Sequence, residues 1–531
     1  MEGGFLRAYE MPDSVDAGEC LKTITRPNIL PTSEVYEMSQ AGFDNGKYLA
    51  LQSEKIRDRI ARFGGKLYLE FGGKLFDDYH ASRVLPGFEP DIKVRMLAQL
   101  ADQAEILIVI NAFDIEKSKV RGDLGIPYDE DVLRLTDAFR GIGLAVSGVV
   151  VTRYAGQSAA DTFLKRIAAL GMRGYRHYPI PEYPSDVPRI VSEDGYGKND
   201  YIETTKPLVV VTAPGPGSGK MAVCLSQLYH DCKRGVRSGY AKFETFPIWN
   251  LPLLHPINLA YEAATADLKD VNLFDPYHLE AYGETAVNYN RDVESFPLLS
   301  AMLTRIQGAS PYRSPTDMGV NMAGFCISDD SIVRQAAKAE ILRRYFAARC
   351  DLVRGTGFED AVSRLERLIN MAGIEPEDVP MIRAALDREK ETGAPAAAMA
   401  LPDGQIVIGK TTKLLGCSSA LLLNALKALG GIDPALDLIS PEVLTPICRL
   451  KTRHMGNKNP RLHSDEVLIA LCISAVTDPV AQRALDQLAR LKGAEAHFSV
   501  ILSGVDEQQY RKLGVSISCQ PRYEKERLYH K

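Results

Sequence analysis

The sequence predicts an α/β protein. Its main part reads as a mostly parallel sheet flanked by helices, of the P-loop/Rossmann-like kind. A helical segment and a smaller C-terminal α/β domain follow. Two observations lead there. Short apolar, β-branched runs, EILIVI at 105–110, AVSGVVV at 145–151 and PLVVV at 207–211, alternate with amphipathic stretches of helical period. Strands buried on both faces and separated by crossover helices read this way. A strand, a loop of small residues, a lysine and a helix also follow one another at 206–231, KPLVVVTAPGPGSGKMAVCLSQLYHD.

Bulk properties fit that class and exclude others. The chain has 531 residues, 45% hydrophobic and 25% charged, with a net charge of −5. This length suggests two to four domains, with cores that need no metal or disulfide. The charge balance gives no reason to expect nucleic acid or a membrane as a partner. Nine cysteines stand at 20, 224, 232, 326, 350, 417, 448, 472 and 519, with no Cys-x-x-Cys. An odd, scattered set reads as reduced thiols. No apolar run approaches the roughly twenty residues of a membrane helix, and no secretory signal opens the chain. The expected location is cytoplasmic.

Residues 1–39 lack periodicity and read as an irregular leader; Met38 is a candidate start of the natural chain. Residues 40–315 form the expected main domain. Helices are expected at 48–63, 91–104, 129–140 and 159–170, and strands at 66–71, 105–110, 145–151, 175–180 and 207–211. A further strand is expected at 239–246, helices at 258–268 and 293–307, and a polar loop at 310–324. Residues 316–400 read as a helical segment, with helices at 330–353, 359–372 and 377–392 and a linker at 394–401 (APAAAMAL). Residues 401–531 regain an α/β rhythm, with strands at 405–408, 497–502 and 515–519. Helices there are expected at 417–429, 440–449 and 507–513, and at 464–492, as one long helix or two broken at Asp478-Pro479.

The chemistry concentrates in the loop after 207–211. Gly215, Gly217, Ser218, Gly219 and Lys220 are the candidate cofactor-binding residues. Glycines let backbone N–H groups approach an anion, a helix start adds its positive dipole end, and lysine adds a full charge. The loop departs from Gly-x-x-x-x-Gly-Lys-Ser/Thr twice. It is one residue short between Gly215 and Gly219, and Met221 stands where the Mg²⁺-binding hydroxyl belongs. A second segment, GQIVIGKT at 404–411, matches letter for letter. Its inner residues are bulky and β-prone, so it is expected to be a strand rather than a cradle. A glycine-proline turn that merely joins strand to helix is the plainer alternative at 213–220.

Ligands of parallel sheets sit beyond the carboxyl ends of the strands. Lys74, Arg121 and Arg153 follow three predicted strands and are the candidate substrate-binding residues. Lys242 and Glu244, on the strand at 239–246, are the candidate catalytic pair. The histidines show no His-Glu-x-x-His or Cys/His spacing, so no zinc is expected. The metal ligands are left open. The loop RLKTRHMGNKNPRLH at 449–463 is basic and reads as a solvated surface or an anion-contacting segment.

The runs KLYLEFGGKLFDDYHASRVLPGF, TAPGPGSGKMAVCLSQLYHD, GYAKFETFPIWNLPLLHPINLAYEAATADL and SPTDMGVNMAGF resemble the bacterial family DUF1846, also called UPF0371. The resemblance covers residues 40 to the C-terminus. It implies cytoplasmic bacterial proteins with no assigned activity. A second resemblance concerns mechanism. The glycine loop, helix and Tyr240-Ala241-Lys242 strand are similar to the dethiobiotin synthetase and cobyric acid synthase side of the P-loop class. That likeness implies ATP or another nucleotide with Mg²⁺ as cofactor. Lys220 would lie on phosphates, Lys242 on a substrate anion, and Glu244 or Asp267 on the metal side.

Two function classes stay open. One is an ATP-dependent phosphoryl-transfer or carboxylate-activating, ligase-like enzyme. The other is a non-catalytic binding protein for a phosphorylated metabolite. Both take a small anionic ligand. A homo-oligomer is expected on base rate alone.

Overall fold

The computed structural model describes residues 41–524, apart from 74, 77, 122, 123 and 267. The leader and Met38 therefore lie outside the described residues. The chain divides into two compact units at Glu340/Ile341.

In the first unit seven strands form one sheet: β1 (Leu67–Phe71), β2 (Ala104–Asn111), β3 (Ala145–Thr152), β4 (Gly174–Arg176), β5 (Leu208–Thr212), β6 (Gly239–Phe243) and β7 (Gly319–Val320). Their spatial order is β7-β6-β1-β5-β2-β3-β4. Every neighbouring pair is parallel. All carboxyl ends therefore lie along one edge. β5 enters late in the chain and slots between β1 and β2. That places the loop after β5 at the centre of the edge.

The sheet is apolar because both faces are covered. Helices α1 (Asn45–Arg62), α2 (Tyr128–Gly141), α3 (Ser158–Ala169), α4 (Lys220–Lys233) and α5 (Asn290–Gln307) belong to this unit. Tyr68, Val109, Val150, Val209 and Val211 pack with Val223, Leu228, Leu299 and Leu303 of α4 and α5. The alternate residues of the strands face the other way, where α2 packs on β2 and β3 through its own apolar stripe. Each expected strand is present, the one at 175–180 shortened to β4. The expected polar loop at 310–324 contains edge strand β7, which pairs with β6. Residues 316–340 thus fall within the first compact unit.

The second unit holds a four-stranded sheet of β8 (Ala396–Ala400), β9 (Ile406–Lys410), β10 (Glu495–Phe498) and β11 (Ser516–Cys519), ordered β9-β8-β10-β11. Only β10 and β11 pair in parallel. The linker expected at 394–401 is corrected here, since β8 is an interior strand buried along its whole length. Alanine has little β-propensity. Its small side chains let Cys417–Leu429 and Pro380–Thr392 pack closely on this sheet. The letter-perfect phosphate motif at 404–411 is β9 with its turn, and Gly404 takes φ 83° in that turn. The helical stretch at 464–492 breaks at Asp478-Pro479, between Ser464–Ala475 and Pro479–Leu485. Asp478 caps the second helix through Val480 N–H.

The eight described cysteines are all free thiols. No helix among the described residues is long and apolar enough to cross a membrane.

Candidate functional site

The loop 213–219 runs from β5 to α4. Two prolines remove N–H groups, and Gly217 and Gly219 take positive φ of 74° and 93°. Gly219 caps the 14-residue α4, with no side chain bonding to the helix's first turn. Among the described residues, the N–H groups of Gly217, Ser218, Gly219, Lys220, Met221 and Ala222 have no hydrogen-bond acceptor. Six successive open donors thus stand at a helix start, where the helix dipole is positive.

The loop is held from outside. Thr152, the last residue of β3, donates to Ser218 O at 2.6 Å. A Cβ on Gly219 would lie 3.2 Å from the Thr152 methyl, and one on Gly215 would lie 2.3 Å from the Tyr128 hydroxyl. Ser218 is buried and donates to Gly215 O, so it fastens the loop to itself. Met221 packs against the core beside α4. Lys220 is half-buried and has no ion-pair or hydrogen-bond partner among the described residues.

Two strands away, about 10 Å at the usual strand spacing, β6 ends in the second cluster. Lys242 Nζ meets Asp292 Oδ2 at 2.5 Å, Glu244 Oε1 at 2.7 Å and the Tyr289 hydroxyl. Tyr289 in turn donates to Glu244 Oε1 at 3.1 Å. Asp292 comes from the first turn of α5. Glu70 of β1 stands in register with Lys242 and accepts from Tyr240 at 2.7 Å. Residues 240 and 242 alternate onto the face covered by α4 and α5, as do 68 and 70 of β1.

The electrostatics follow from burial. Desolvation works against the Lys242 charge, yet Asp292 and Glu244 hold the ammonium well above the usual lysine value. Burial pushes Glu244 up to about 7; Lys242 opposes this and Asp292 adds to it. Burial thus favours the neutral form of Glu244 more than it would be favoured in an exposed carboxylate.

Of the expected site residues, the structure brings Gly215, Gly217, Ser218, Gly219 and Lys220 together and joins Lys242 to Glu244. Lys242 is not available to a substrate anion as the sequence suggested. An ammonium has three N–H groups, and three protein oxygens surround it. Arg121 is taken up by Asp131 at 2.8 Å, which also pairs with Arg134. Arg153 is exposed just after β3, in the left-handed region with φ 50°. Lys74 and Asp267 lie outside the described residues. Several other charged strand-end residues serve the fold: Asp78 pairs with Lys93 at 2.6 Å and Asp114 with Lys119 at 3.4 Å. Among the described residues no group of three or more His, Cys, Asp or Glu side chains is placed to hold a metal.

Glu70, Tyr289, Asp292 and Tyr128 were not singled out from the sequence. A signal existed for Glu70. A charged residue inside KLYLEF, a strand otherwise buried on both faces, needs a partner. None existed for Asp292, which reaches Lys242 only through the fold.

Comparison with known proteins then gives the kinship. Residues 41–373 match the model described as domain of unknown function DUF1846, N-terminal, and residues 377–529 match its C-terminal counterpart. The chain belongs to the DUF1846 family. A UPF0371 protein of Corynebacterium efficiens is 57% identical over 493 residues, covering 93% of this chain and all of that protein. UPF0371 proteins of Streptococcus thermophilus and Streptococcus pneumoniae are each 54% identical over 494 residues, with the same coverage. The DUF1846 match spans both the glycine loop and the Lys242 cluster.

Proposed function

We propose that residues 213–220 cradle the phosphate of a nucleotide or phosphorylated metabolite, and that the chain is a P-loop-like phosphoryl-transfer enzyme. One observation carries this reading: six successive unbonded N–H groups at the start of α4, beside an unpaired, half-buried lysine. Backbone donors and a cation in that arrangement suit a dianionic phosphate. Glu244 supplies the acid–base group that transfer to an acceptor needs, at the same sheet edge.

ATP with Mg²⁺ is the cofactor of this reading. The residues fit the phosphates better than the metal. The position after Lys220 carries a packed methionine rather than a hydroxyl, and Glu244 already pairs with Lys242. When bound, the nucleotide would supply the transferable phosphoryl group. This chain's residues would bind its phosphates at 217–222 and take up a proton at Glu244.

Met221 also favours a second reading, a binding protein that holds a phosphorylated metabolite without turnover. Thermal-shift measurement against nucleotides and phosphometabolites, wild type beside Lys220→Ala, tests both. The phosphate reading expects a raised melting temperature that Lys220→Ala abolishes. It fails if no ligand acts, or if the variant responds equally. Binding without consumption of ATP in the presence of any added acceptor leaves the second reading standing and removes the first.

A further inference from the structure

Resting on the phosphate reading, we infer that the site recognises the far end of its ligand by what that end donates. The ligand is a phosphorylated amine or alcohol, and a phosphorylated carboxylic acid is rejected. The open atoms beyond the glycine loop are acceptors. Lys242 has all three donors engaged, and the hydroxyls of Tyr289 and Tyr240 are directed at Glu244 and Glu70. What stays open is one oxygen on each of three carboxylates: Glu70 Oε1, Glu244 Oε2 and Asp292 Oδ1. None has a hydrogen-bond partner among the described residues, and none is a sealed atom. Glu70 and Asp292 are otherwise buried, only 8% and 5% exposed. An open oxygen on an otherwise buried carboxylate is a place for an incoming donor.

Charge points the same way. Three carboxylates, Glu70, Glu244 and Asp292, lie around one lysine, so acceptor oxygens outnumber the cationic donors of the cluster. An incoming carboxylate would meet like charge in a poorly solvated place. An ammonium or hydroxyl would meet waiting acceptors. The two groups of residues lie on strands joined through β1. Glu70 is on β1, directly beside β5 and its loop. Glu70 from the sheet and Lys220 from the helix both act on the buried Cys224 thiol. Gly72, at the end of β1, packs closely on the end of β6, since a Cβ there would lie 2.9 Å from Phe243 O and 3.4 Å from Glu244 Cγ.

This inference opposes the carboxylate-activating side of the P-loop resemblance. In a transfer, a nucleoside triphosphate would take the cradle in place of the ligand's own phosphate, and the nitrogen or oxygen of an acceptor held at the carboxylates would form the new bond to its γ-phosphorus. The bond from that phosphorus to its bridging oxygen would break, its electron pair leaving with the diphosphate. An alcohol's proton would pass to Glu244; an ammonium would first give one proton to water, so that its nitrogen carries a lone pair, and a second to Glu244.

Titration calorimetry with paired phosphate monoesters at pH 7.5 tests it. One pair is phosphoethanolamine and phosphoglycolate. A longer pair is 4-aminobutyl phosphate and 4-phosphonooxybutanoate, and inorganic phosphate is the common reference. The expected result is an amine at least tenfold tighter than its acid partner in one pair, and an acid tighter in neither. Glu70→Gln and Asp292→Asn should each narrow that ratio while inorganic phosphate binds as before. Equal binding within both pairs, a tighter acid, or binding of inorganic phosphate alone overturns the inference and leaves the phosphate cradle intact. If not even inorganic phosphate binds, the cradle itself falls and takes this inference with it.

Discussion

Lys242 Nζ and Asp292 Oδ2 meet at 2.5 Å, with both side chains less than a tenth exposed. Strand β6 and helix α5 are thus joined by a buried charge pair. Removing one partner of such a pair strands the other, typically at about 3–5 kcal/mol. Lys242→Met should lower the urea midpoint of the first unit by a corresponding amount. Lys242→Met with Asp292→Leu should cost less than the sum of the single changes. Additive losses would show that the pair is not coupled.

Glu244 sets a pH dependence. Burial raises its value from 4.5 to about 7, so the fold favours the protonated form. Its contribution to stability is fully present below 4.5 and is lost as pH rises through 7. Gln resembles the protonated acid. Glu244→Gln should therefore melt higher than wild type at pH 8.5, with the gap closing toward pH 4.5. A variant that melts lower than wild type at pH 8.5 would contradict this ordering.

The glycine loop makes a steric prediction. Gly219 holds φ 93°, where alanine is strained by about 1–3 kcal/mol, and the added methyl presses on Thr152. Gly219→Ala should weaken phosphate binding at least tenfold while far-ultraviolet circular dichroism is retained. Gly73 also has positive φ, 70°, but no atom lies within 4 Å of its would-be Cβ. Gly73→Ala is the control for strain without contact, and its phosphate affinity should stay near wild type.

In the second unit, His463 Nδ1 and Asp506 Oδ2 lie 3.0 Å apart. The hydrogen bond to Asp506 raises the histidine, and Asp506 falls to about 2: burial opposes this, and His463 and Ser464 N–H overcome it. The histidine's contribution is present below its unfolded value of 6.5 and lost as pH rises through its raised value. The aspartate's is present above 3.8 and lost as pH falls through 2. His463→Gln should thus cost most between about pH 4 and 6.5 and progressively less in alkali, read by thermal melting across pH.

Much of this was legible in the sequence. Apolar runs such as 105–110 and 207–211 marked buried parallel strands, and their alternation with helices marked the sheet. The glycine loop stood out through its small residues and lysine. What escaped was tertiary. Ala396–Ala400 resembled a linker, since alanine has no strand signature and only its burial between neighbours makes it one. Gly319–Val320 is too short to show a period of two. Arg121 looked available because Asp131 lies a strand end and a turn away along the chain. Asp292 had no local sign of belonging to Lys242. Composition near a strand end shows that charge is present; only the fold shows which charges are already paired.

Hydrogen exchange of the wild-type chain with and without ATP tests the central claim most directly. The account predicts slowed exchange at the amides of Gly217 to Ala222, absent in Lys220→Ala. Unchanged exchange across 217–222, while ATP protects amides elsewhere, would contradict it.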